Sequence, residues 1–189
     1  MNAAKFETSS SQENIRTTVT PGETLALDPT QKLGDSREVG LYGGTSRLAR
    51  IELGSGQAME LVKFKYENSD GLHEEFYLAP LVTREVDGAP MTQVDQARML
   101  QIPQTGLRFG RLRNTLRDDN TPVQLDVDVS DLFVDPTDRL SGVSREQMVI
   151  VITDGVPHIE NITPRKSDAR VGSFDVVTPY SEDKPRTIV

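Results

Sequence analysis

Short alternations of apolar and polar residues, each cut off by a turn, set the limits on what this 189-residue chain can become. Met59 to Tyr66 reads M-E-L-V-K-F-K-Y and places Val62, Phe64 and Tyr66 on one face of a period-two strand. Asn68-Ser69-Asp70-Gly71 then reverses the chain. His73 to Val86 runs on as a second long strand, with Phe76 and Leu78 inward and Leu81 and Val82 as further inward candidates. The two segments and their turn predict a β-hairpin. Pro80, which has no N–H for a ladder, predicts a bulge, an edge or a break.

The same punctuation recurs along the chain. Thr24 to Leu27 predicts a short strand after the Pro21-Gly22 turn, and Glu38 to Tyr42 another before Gly43-Gly44. Arg47 to Leu53 alternates, but its period slips by one between Leu48 and Ile51. Leu107 to Leu116 interleaves arginine with Leu and Phe. Pro122 to Val134 sets Val123, Leu125, Val127 and Val129 against Gln124, Asp126, Asp128 and Ser130. Met148 to Ile152, M-V-I-V-I, is the most apolar run and predicts a strand buried on both faces. Asp154-Gly155 turns it into Val156 to Ile162, and Phe174 to Val177 predicts a last strand. Helical spacing is confined to Thr92 to Leu100, where Val94, Ala97 and Leu100 share a face and Thr92 suits an N-cap.

Roughly eight short strands with at most one or two short helices predict a mainly β fold, an antiparallel β-sandwich or barrel, for which a jelly-roll-like arrangement is one form. Residues 1–36 and 164–189 carry few apolar side chains. They read as an extended N-terminal arm and an extended C-terminal tail around a β domain at 37–163.

Composition removes several classes of function. There is no cysteine, hence no disulfide, thiolate metal site or cysteine nucleophile. Two histidines cannot make a three-histidine metal site. The charge of −8 is spread over both halves, so nucleic acid is disfavoured as a partner, and anionic lipid is repelled. No apolar run is long enough for a membrane helix, and no apolar stretch near Met1 suggests a signal peptide.

Gly34-Asp35-Ser36 resembles the first block of the GDSL hydrolases, with Asp154 and His158 later in the chain. The nucleophile in such a site follows a buried strand, and the preceding D-P-T-Q-K-L is no strand. Gly40, Gly43 and Gly44 before Thr45-Ser46 lack the lysine and the helix of a phosphate loop. Asp126, Asp128 and Asp131 are spaced like the start of a calcium loop, with Asp135 and Asp138 beyond. An EF-hand needs glycine where Asp131 stands, so an acidic solvent-facing strand is the plainer reading. His73 and His158 are isolated in sequence. Asn161-Ile162-Thr163 matches a glycosylation sequon. Arg108, Arg111, Arg113 and Arg117 form the one basic cluster. They predict a strip that docks against acidic surfaces of neighbouring subunits.

No catalytic, cofactor or metal residue emerges. The sequence therefore points to a non-enzymatic structural protein that packs with other copies of itself and with neighbouring assembly proteins. A building block of a virus or phage particle fits: capsid, decoration, connector or tail component. It would be made in the cytoplasm and end in the virion or another large particle. The alternative is a β-sandwich ligand-binding module for carbohydrate or calcium-dependent adhesion, which would need exposed aromatics, drawn from Tyr42, Tyr66, Tyr77 and Tyr180, on a concave face.

Overall fold

The computed structural model describes residues 13–34, 40–41, 43–54, 56–111, 116, 119–122, 124–133, 143–164 and 171–180. Among them are twelve strands. In chain order these are β1 (Asn14–Val19), β2 (Thr24–Ala26), β3 (Thr45–Glu52), β4 (Ala58–Asn68), β5 (Gly71–Val86), β6 (Ala89–Val94), β7 (Leu100–Gln101), β8 (Leu107–Gly110), β9 (Val127–Asp128), β10 (Met148–Thr153), β11 (Val156–Asn161) and β12 (Phe174–Pro179). The larger sheet has the order β1-β12-β3-β4-β5-β6, with β7 also on β5. The smaller has the order β2-β11-β10-β8-β9. Every pairing is antiparallel except β8 with β9. Neither sheet closes on itself, so the fold is a two-sheet sandwich rather than a barrel.

The main core lies between the sheets. Leu48, Ile51, Met59, Leu61, Phe76 and Leu78 come from the larger sheet, and Leu25, Phe109, Met148, Ile150 and Ile159 from the smaller. The slipped period in β3 is a β-bulge, where Arg47 pairs with Val62 but Ala49 with Leu61. The bulge is what lets Leu48 and Ile51 both reach the core. Asp154 (φ 51°) and Gly155 (φ 75°) form the two-residue turn between β10 and β11, the left-handed pair that matches the twist of its strands. In β10 only Met148, Val149 and Ile150 are buried, and the strand opens towards solvent from Val151 on.

Several expectations are corrected. Residues 13–34 are not an arm: β1 pairs with β12 and β2 with β11, and Val19, Leu25, Leu27 and Leu33 are all buried. Apolar residues are few there, but each lands in an interior site while neighbouring strands satisfy the backbone between them. Residues 171–180, read as tail, carry β12 into the larger sheet between β1 and β3. Residues 1–12 and 181–189 lie outside the described residues. Thr92 to Leu100 is not a helix. It completes β6, makes a single 3-10 turn at Gln96–Arg98 and enters β7, because pairing with β5 outweighs a weak helical periodicity. The strand read at Pro122 to Val134 is reduced to β9. A four-residue helix, Val129–Leu132, follows, its start closed by Asp131 accepting the Asp128 N–H at 3.2 Å.

Candidate interaction surfaces

Three surfaces carry the residues of interest: a projecting ribbon, the outer face of the larger sheet and the end of β8.

The ribbon arises at Pro80. Up to that residue β5 pairs with β4; from Leu81 onward it pairs with β6. Beyond Leu81 and Val94 the two strands have no other strand beside them among the described residues. Thr83 to Thr92 are all exposed. Asp87 (φ 52°) and Gly88 (φ 78°) close the tip with the same left-handed pair as the β10–β11 turn. The register puts Thr83, Glu85, Pro90 and Thr92 on one face, where the Thr83 and Thr92 hydroxyls lie 3.0 Å apart. Val82, Arg84, Val86, Ala89, Met91 and Gln93 share the other face. By strand parity that second face continues the core-facing row of Phe76 and Leu78. Val86 remains 38% and Met91 46% exposed, so an interior-type row runs out into solvent. Sequence reading missed this ribbon, although Asp87-Gly88 between alternating segments was the signal for it.

The outer face of the larger sheet carries a second, smaller apolar cluster of Leu41, Val62, Ala79, Leu81 and Val94. Beside it is an apolar groove of about 390 Å³ between Leu41, Val62, Phe64, Tyr77, Gln96 and Met99. Val62, Phe64 and Tyr66 do share a face, and it is this one. Phe64 stacks on Tyr66 (centroids 5.6 Å apart, 28° between planes), and Tyr66 on His73 (5.1 Å, 14°). Glu75 accepts hydrogen bonds from both the Tyr66 and Tyr77 hydroxyls, at 3.0 and 2.5 Å. The hydrogen bond to Glu75, with some burial, pushes the Tyr77 hydroxyl up to about 12. Tyr66 is raised for the same reason. Phe64, Tyr66 and His73 thus form one stacked row on this face.

Deeper on the same face, Glu60 is fully buried and accepts from Arg47 at 2.9 Å and from Arg50 at 3.0 Å. Arg16 is held by Glu52 and Asp175 across β1, β12 and β3. On the core side, Lys63 is buried and donates its ammonium to the Pro29 carbonyl; burial, reinforced by Lys65 and Lys32, lowers its pKa. Lys65 holds Glu74 at 2.5 Å and lowers that carboxyl's pKa.

The arginine cluster is only partly described. Arg108 is exposed on β8, facing away from the core that holds Leu107 and Phe109. Its backbone N–H donates to the Asp126 carboxylate at 2.6 Å. Arg111 follows the strand, half-buried, its backbone N–H shared between the Ser144 and Arg145 carbonyls and its Nε buried without a hydrogen-bond partner. Arg113 and Arg117 lie outside the described residues, as do Asp35, Ser36, Tyr42, Asp135 and Asp138.

The remaining motifs are structural where they are described. Asp154 is exposed in its turn and His158 half-buried in β11. Among the described residues no three His, Asp or Glu side chains converge as a metal-ligand set. Asn161 of the sequon is fully buried, its amide donating to the Val19 and Gly172 carbonyls, both at 2.9 Å. A glycan cannot be attached to an interior amide so engaged. Among the described residues no helix is long and apolar enough to cross a membrane.

Compared with known proteins, the chain matches no family model, no curated protein and no solved structure.

Proposed function

We propose that this chain is a non-enzymatic structural protein, a building block of a multi-subunit assembly. The observation that carries the proposal is the ribbon of Thr83 to Thr92. Ten consecutive exposed residues stand away from a compact sandwich, one face continuing a hydrophobic row. An isolated two-stranded hairpin is marginal in water and gains most of its order from a surface it packs against. The ribbon thus takes the role that sequence reading gave to the chain ends. The extension to a virus or phage particle, as capsid, decoration, connector or tail component, rests on composition: a cysteine-free β core, few aromatics and no recognisable catalytic set.

Mass photometry of the full chain tests the proposal. The comparison is a variant in which Arg84 to Met91 is replaced by Asn-Gly, joining Thr83 to Thr92 through a tight turn. The full chain is expected to populate species larger than the monomer and the shortened chain to stay monomeric with the same melting temperature. A full chain that is strictly monomeric at every concentration, alone and with candidate partner subunits, overturns it.

A further inference from the structure

We infer that the ribbon's partner is the ribbon of a second copy of this chain, packed apolar face to apolar face with the two ribbons antiparallel. This rests on the building-block reading and names the contact.

Three observations select a second copy over other occupants. First, the exposed face of Val82, Val86, Ala89 and Met91 continues the row that packs sheet on sheet inside the molecule, so its spacing already suits another β surface. Second, both outer edges of the ribbon lack a strand partner among the described residues, and Pro90 blunts the β6 edge. Face packing therefore fits better than open-ended strand addition. Third, the charges complement themselves. Arg84 is the single cation of the ribbon and sits on the apolar face, while Asp87 stands at the tip. An antiparallel two-fold arrangement lays each Arg84 towards the tip of the other copy, within reach of its Asp87, and closes the contact as a dimer. One cation beside Glu85 and Asp87 suits neither a phosphate backbone nor an anionic membrane.

The absence of cysteine makes the test direct. In an otherwise unaltered chain, Met91→Cys is expected to be bridged between copies by a short bis-maleimide. Thr92→Cys, on the opposite ribbon face, is expected to give little bridging. Sedimentation velocity should find the wild type dimeric and the Val86→Lys/Met91→Lys double variant monomeric with unchanged melting, since both side chains are solvent-exposed. Arg84→Asp or Asp87→Arg alone should weaken the dimer about tenfold, and the two together should restore it. If oligomers form but neither the bridging pattern nor the lysine variant affects them, this contact is wrong while the building-block reading stands. If the wild type is monomeric on its own, this contact is wrong; the building-block reading falls with it only when the chain also stays monomeric in the presence of candidate partner subunits.

Discussion

Asn161 illustrates how much a single buried amide can hold. Its side chain joins the end of β1, at Val19, to Gly172, just before β12, and its backbone pairs with Gly22 and Glu23. Gln147 reaches the same Gly172 carbonyl at 2.6 Å. Gly172 itself has φ 86°, and a Cβ there would stand 2.4 Å from the Thr163 methyl. Asn161→Ala removes the side-chain donor to the Val19 carbonyl, while Gln147 still serves the Gly172 carbonyl, and should cost about 1–3 kcal/mol, read as a shifted denaturant midpoint with an unchanged slope. Glu60 belongs to another class. Removing its charge in Glu60→Gln strands the buried Arg47 guanidinium, and about 3–5 kcal/mol of destabilisation is expected by the same measurement. At Tyr77 the prediction is a titration. The folded protein keeps this proton after the unfolded chain has lost its own. The stabilisation is therefore complete below the ordinary tyrosine value of 10.0 and is lost as pH rises towards about 12. A spectrophotometric titration should find the Tyr77 phenol titrating late, with Tyr66 also raised; Glu75→Gln should move both down and Tyr77→Phe should delete the Tyr77 step.

Whole elements were legible in the sequence where local signals agreed with their surroundings. The β4–β5 hairpin and the Asp154-Gly155 turn each combine strand alternation with turn chemistry, and both stand as read. Even the slipped period after Leu48 was visible, as the footprint of the β3 bulge. What sequence could not convey was long-range pairing. β1 and β2 look polar because pairing with β12 and β11, not apolar content, holds them in place. Thr92 to Leu100 has helical spacing but lies opposite β5, and the ladder prevails. Arginine alternates with Leu and Phe over Leu107 to Leu116, but β8 ends at Gly110, where a Cβ would stand 2.2 Å from the Arg145 carbonyl oxygen. Gly110→Ala should accordingly destabilise β8 and expose Phe109, seen as faster amide exchange across Leu107 to Gly110.

At the scale of the molecule, the order in which strands are made differs sharply from the order in which they lie. β12 comes last in sequence but sits between β1 and β3, near one side of the larger sheet. A chain ending before Phe174 would leave β1 with no neighbour and β3 with a bare flank, so it should be cleaved rapidly by proteases that spare the full chain. Pairings that span nearly the whole sequence also slow folding, because a long loop must close before any contact rewards it. During synthesis the larger sheet therefore lacks an inner member until β12 has been made and has paired. Until then the exposed flanks of β1 and β3 are surfaces that a chaperone would have reason to guard.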